Sequence, residues 1–201
     1  FEIGQASLGS FFEWHPWLYL FLVPAITMRL WSEEKNSGTI ELLTTLPVST
    51  LNIVLGKFMA AWLFTLLALI LTFPMWVTVN YLGTPDNGVI MASYIGSFLM
   101  SGGYLSIGIF ISSLTKNQVI AFIVSVTECF LFTVSGLPIV LDFFSNWAGE
   151  AITDVIASFS FLANYSDISR GIIDFRTLVY FLSLIVLFLY LNLITLDNSR
   201  N

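Results

Sequence analysis

The chain has 201 residues, 57% hydrophobic and only 10% charged, with a mean hydropathy of +0.87. A soluble domain carries about 25% charged residues, so the composition excludes one and indicates an integral membrane protein. Thirteen acidic against seven basic side chains give a formal net charge of −6, which provides no basic surface for phosphates and excludes a nucleic-acid partner.

Residues 1–13 are mixed and contain glycine, as suits a short surface segment at the outer face. The chain starts with Phe1 and has no charged stretch ahead of an apolar one, so no signal peptide is expected and an N-terminal portion is expected to be missing. From Trp14 to Trp31 only His15, Thr27 and Arg29 interrupt an apolar run; about 18 helical residues cover about 27 Å, barely a span. Pro16 can open that helix, while Pro24 should kink it.

The stretch Trp31 to Thr50, WSEEKNSGTIELLTTLPVST, is the long polar interruption in the first eighty residues. Gly38 reads as an N-cap with Glu41 as its capping-box carboxylate, and Pro47 as a stop, which predicts a short helix over 38–46. Thr39, Leu42, Leu43 and Leu46 fall on one face, while Glu41, Thr44 and Thr45 turn to the other. Such a helix can lie along a membrane surface and offer its polar face to a partner in the water.

Glu33-Glu34-Lys35, Ser37-Gly38-Thr39-Ile40-Glu41-Leu42-Leu43 and Leu46-Pro47-Val48-Ser49 resemble the loop after the second span of ABC-2 type transporter permeases, closest to the gliding-motility, GldF-like group. Similar stretches flank it at Gly4-Gln5-Ala6-Ser7, Phe11-Phe12-Glu13-Trp14 and Val54-Leu55-Gly56-Lys57-Phe58, and recur at Ser113-Leu114-Thr115-Lys116-Asn117-Gln118. The resemblance implies a type V exporter-like permease fold of six spans, of which the first would be missing here. It implies a coupling helix docking in a groove of a cytoplasmic ATP-binding subunit, with Glu33, Glu34, Gly38, Thr39, Ile40, Glu41, Leu42, Thr44 and Thr45 as the partner-binding residues. ATP and Mg would be bound by that subunit, with no cofactor in this chain. A second permease chain, a bacterial inner-membrane location and an auxiliary protein with a large extracytoplasmic domain are further implications.

Thr50 to Leu82 is a longer apolar run with Lys57 near its start and Pro74 towards its end, and YLGTPDNG over 81–88 is dense in turn formers. Gly88 to Leu114 is the next span. Its small residues Ser93, Ser97, Ser101, Gly102, Ser106, Gly108 and Ser112 suit close packing inside a bundle, with a substrate-lining groove as the other reading. A polar turn at 115–118 leads into a span from Gln118 to Leu141, ending around Gly136 and Pro138. Residues 142–176 hold Asp142, Glu150, Asp154, Asp167 and Asp174 around the apolar patch Val155 to Ala163, too short to cross and expected to be re-entrant or interfacial. Leu178 to Leu196 is the last span.

The expected fold is therefore an all-α polytopic helical bundle, a single transmembrane domain with five spans at about 14–31, 50–82, 88–114, 118–141 and 178–196. Placing the 31–50 loop in the cytoplasm puts Arg29, Lys35, Lys57, Lys116 and Arg200 inside or at the inner boundary and Arg170 and Arg176 outside, the distribution that positive-inside topology favours.

Glu128, midway along the fourth span, is costly there and is a functional candidate by default. Ala121, Ser125, Glu128 and Ser135 share a face that should point into the bundle, where Glu128 serves as a protonated hydrogen-bonder or as a proton or substrate site. His15 beside Glu13 reads as an interfacial cap rather than a metal ligand, and Trp14, Trp17, Trp31 and Trp76 as interface anchors. Cys129 cannot pair within the chain. No GxxxxGK[ST] loop and no Ser/His/Asp or Cys/His set occurs, so the chain is expected to be non-catalytic and any ATP to be bound by another subunit. The reading is a permease subunit of an ATP-driven transporter. The alternatives are a proton-coupled secondary transporter or channel using Glu128, and a membrane anchor of a motility or secretion machine.

Overall fold

The computed structural model describes residues 7–40, 47–172 and 174–198, and among them all regular structure is helical. Chain order gives α1 (Gly9–Glu13), α2 (His15–Thr27), α3 (Ser32–Ser37), α4 (Thr50–Leu71), α5 (Phe73–Leu82), α6 (Asn87–Leu114), α7 (Gln118–Val134), α8 (Pro138–Ala148), α9 (Glu150–Ser158), α10 (Phe161–Ser169) and α11 (Phe175–Asn198). Three stretches are long and apolar enough to cross a membrane: α4 with α5, α6, and α11. A fourth is α7 with α8 if the two are one broken span, since they meet at 79°. The run expected to span 14–31 is instead the 13-residue α2 followed by a turn at 28–31. At 1.5 Å per residue such a helix is about 20 Å long, short of the hydrocarbon thickness by itself.

Local chemistry sets the helix ends. The Asp86 carboxylate accepts from the amides of Gly88 (2.9 Å) and Val89 (3.3 Å) at the start of α6, and Asn117 Oδ1 accepts from Val119 (2.9 Å) and Ile120 (3.4 Å) at the start of α7. Ser49 caps α4 by accepting from the Asn52 amide at 3.3 Å. Pro16 sits in the first turn of α2, as expected, while Pro24 lies inside it. Pro74 stands in the first turn of α5, two residues after the break at Thr72, so the 33-residue run is two helices in near succession.

The bundle is arranged around α6, which packs against α2, α4, α7, α10 and α11. Its small residues make this possible. A side chain at Gly102 would meet Trp62 and Ile185, at Gly103 Phe161, at Gly96 Ile168 and at Gly108 Thr27. Four of its buried serines satisfy themselves on their own helix. Ser93, Ser101, Ser106 and Ser113 donate to the carbonyls of Val89, Phe98, Gly103 and Phe110 at 2.6–2.8 Å. A hydroxyl bonded three or four residues back leaves no orphan donor and adds little bulk.

At the far end from the 31–50 loop, α7 breaks at Gly136 and Pro138. Ser160 Oγ donates to the Thr133 carbonyl at 3.2 Å, and a side chain on Gly136 would meet Ser160 at 2.6 Å, so the bend closes around that serine. The patch expected to be one element over Val155 to Ala163 is divided there. Helix α9 leaves Val155 and Ile152 exposed, whereas α10 carries Phe161, Tyr165 and Ile168 into the core. Phe161 lies 4.6 Å from Tyr104, 5.7 Å from Phe132 and 5.8 Å from Phe181, ring centre to ring centre. Each such pair adds about 0.5–1.5 kcal/mol beyond area burial, so α10 is a structural insert in the bundle rather than a surface helix.

Candidate functional site

The polar loop after α2 is where the sequence placed a partner-binding helix. Helix α3 begins this loop, and its first backbone amides point along the helix axis with no partner of their own. They find one on α6: the amides of Trp31 and Ser32 donate to Ser112 Oγ at 3.1 and 3.2 Å, and Ser112 in turn donates to the Met28 carbonyl at 3.0 Å. A side chain of α6 thus caps the loop helix. Lys35 extends from α3 to the Ser113 carbonyl, 2.5 Å away in the last turn of α6, where cations are favoured by the unpaired carbonyls. Burial, and then the neighbouring Lys116 ammonium, hold Lys35 below the usual lysine value.

A second tie runs to α4. Lys57 donates to Glu34 Oε1 and to the Leu30 carbonyl, both at 2.5 Å, and its ammonium stands 4.2 Å from the Trp31 ring centre. Trp31 is 2% exposed. The sequence had read it as an interface anchor, but Lys57 above it and Ser112 below its backbone bury it. Trp14, by contrast, is 67% exposed.

Several sequence assignments move. Gly38 is the C-cap of α3, with φ of +74°, and not the N-cap of the following helix. Residues 32–37 are already helical, so glycine takes the left-handed position that ends them. Helical backbone resumes at Ile40, which packs against the core, while Glu33 and Thr39 are exposed. Glu41, Leu42, Thr44 and Thr45, with the rest of the expected helix through 46, lie outside the described residues. Glu34 is not free for a partner on the side facing Lys57.

Glu128 does not lie at the centre of the bundle face. The buried stripe of α7 is Ala121, Ser125, Cys129 and Thr133, a strict four-residue spacing that puts Cys129 inside and Glu128 half-buried at its edge. Its carboxylate makes no hydrogen bond or ion pair with a described residue. His15 is buried and not an interfacial cap. Its Nδ1 is 2.5 Å from Ser97 Oγ, which also bonds the Tyr19 hydroxyl at 2.9 Å, and Phe11 and Phe12 pack edge-on against the ring. Among the described residues no group of three His, Cys, Asp or Glu side chains could hold a metal ion.

The residues missed from sequence are Lys57, Ser112 and Ser113. A lone lysine seven residues into an apolar run, with three acids on the preceding loop, was the available signal for the first. Nothing in the spacing could have chosen Ser112 from the other serines of α6.

The model of the ABC-2 family transporter proteins matches residues 21–196, from within α2 to the last turns of α11. The chain belongs to the ABC-2 transporter family. No curated protein matches it. An ABC-2 permease is the membrane component of an ABC transporter, non-catalytic itself, and permeases of this family work with ATP-binding subunits. In this permease the family match takes in the loop, its ties to α4 and α6, and all the long apolar helices.

Proposed function

We propose that this ABC-2 permease couples ATP hydrolysis by separate cytoplasmic subunits to substrate export through a dimer of permease chains, with the 31–50 loop as the receiving element. The observation that carries this reading is the way α3 is fastened: Ser112 and Lys35 tie it to α6 and Lys57 ties it to α4. A loop held at both sides moves the spans when it is pushed, whereas a plain connector would flex. Glu33 and Thr39, exposed beside the αL turn at Gly38, lead into the segment 41–46, whose Glu41, Leu42, Thr44 and Thr45 serve as docking contacts. This orientation puts Lys35 and Lys116 in the cytoplasm.

The loop sequence further supports placement in the gliding-motility, GldF-like group and, with it, an auxiliary partner having a large extracytoplasmic domain. The test is purification through a tag on this chain, with measurement of co-purifying ATP-binding subunit and of ATP hydrolysis. Glu41→Lys is expected to leave the permease inserted while the subunit and the stimulated hydrolysis are lost; Asn87→Lys, at the first residue of α6, should lose neither. Wild-type partner yield and hydrolysis in Glu41→Lys would reduce the stretch to a connecting loop.

A further inference from the structure

Lys57 and Glu34 form the ion pair found among the described residues, and it sits at the junction of loop and span. Both side chains are largely buried, 18% and 28% exposed. The ammonium has three N–H donors, and it meets two oxygens and an indole face. Glu34 has its other oxygen, Oε2, buried with no hydrogen-bond partner. Among the described residues its carboxylate is therefore anchored by Lys57 alone.

The two sides of the pair are rigid. On α4, Val54 and Phe58 flank Lys57 and are 2% and 3% exposed, so the helix that carries the lysine cannot roll without disturbing the core. On the loop, Trp31 and Ser32 are fixed to Ser112 of α6. Helix α3 packs on α6 and α7, and Lys57 is its polar link to α4.

We infer that Glu34 and Lys57 are a positioning pair, not a docking contact: they transmit displacement of the loop to α4, with the Trp31 face and the Leu30 carbonyl holding the lysine in line. The inference rests on the ATP-driven reading for its functional consequence but makes a separate statement about this chain. Removing one partner of a partly buried pair leaves the other charge uncompensated, so either single substitution should release the loop from α4. It should not remove the exposed surface that a subunit would dock on.

The test uses the complex purified through a tag on this chain and placed in lipid nanodiscs. Lys57→Met and Glu34→Gln should keep the full complement of ATP-binding subunit while stimulated hydrolysis falls about tenfold, equivalent to ~1.4 kcal/mol of lost coupling. Lys57→Arg should retain most of it, and the double variant Lys57→Met/Glu34→Gln should be no worse than either single one, because both break the same link. In the permease alone, amide exchange over residues 31–38 should accelerate in both single variants while α6 remains protected. Wild-type hydrolysis in Lys57→Met, additive losses in the double variant, or loss of subunit in step with hydrolysis would each overturn the inference, the last by returning Glu34 to the docking surface. Should Lys57→Met fail to insert, Glu34→Gln and Lys57→Arg decide on the same criteria. Should the wild type bring no ATP-binding subunit, the ATP-driven reading fails, while the exchange rates over 31–38 still decide whether the pair holds the loop.

Discussion

The α4–α5 run and α6 are both apolar enough to cross a bilayer, yet they meet different surroundings. The α4–α5 run is the more apolar and has 28% of its most apolar stretch buried in the chain; α6, richer in serine and glycine, has 78%. Leu63, Phe64, Leu67 and Ile70 of α4 are each more than half exposed. Between the two, an apolar cleft of about 300 Å³ is lined by Leu66, Leu69, Phe73, Trp76, Tyr94 and Phe98. The difference teaches that in a membrane chain hydropathy does not identify the core. Lipid tails are as apolar as leucine, so what selects a central helix is the ability of its backbone to be approached closely, and that belongs to small residues.

The comparison is broken most severely at Gly108. A side chain there would collide with Thr27 of α2, and overpacking costs roughly 1–3 kcal/mol or more. Gly108→Val is expected to lower the melting temperature of the detergent-solubilised permease sharply or to prevent its accumulation. Gly56→Ala on α4 is the matched control: nothing lies within 4 Å of the added carbon, so stability should hold or rise by about 0.5–1 kcal/mol. Equal losses at the two glycines would abolish the distinction between the spans.

A smaller effect is expected at Ser112, where α6 serves the loop rather than the core. Ser112→Ala leaves the amides of Trp31 and Ser32 without their acceptor, a cost of about 1–3 kcal/mol for a buried group. Amide exchange should report it first over residues 31–34, with α6 itself still protected. Uniform acceleration across the bundle would show that Ser112 holds the spans and not the loop.

The smallest effect is expected at Glu128 on α7, which lies off the buried stripe and bonds to no described side chain. Glu128→Gln should leave assembly and stimulated ATP hydrolysis within about twofold of wild type, below ~0.5 kcal/mol. An assembled permease that has lost transport would restore the proton or substrate site that the mid-span position suggested.

Much of the architecture was legible because its signals are local. Composition marked a membrane protein, and the apolar runs at 50–82, 88–114 and 178–196 reappear as the three long helices. Asp86, Ser49 and Asn117 cap helices through atoms two or three residues away, within reach of any reading of neighbours. The small residues of α6 announced close packing, and Gly136 with Pro138 announced the end of α7.

What the sequence determined by itself, then, is helical class, membrane residence, the three long apolar stretches and the polar loop that precedes the first of them. Only the tertiary structure decided which span is central, that the bend in α7 folds α10 into the core, that Glu128 yields the inner face to Cys129, and that Gly38 ends one helix instead of starting another. It also decided that Glu34 belongs to Lys57, twenty-three residues along the chain. Helix ends and apolar runs follow from neighbours within one turn, whereas a pairing between a loop carboxylate and a span lysine exists only once separate helices have been set side by side, and nothing in the spacing of residues records that distance.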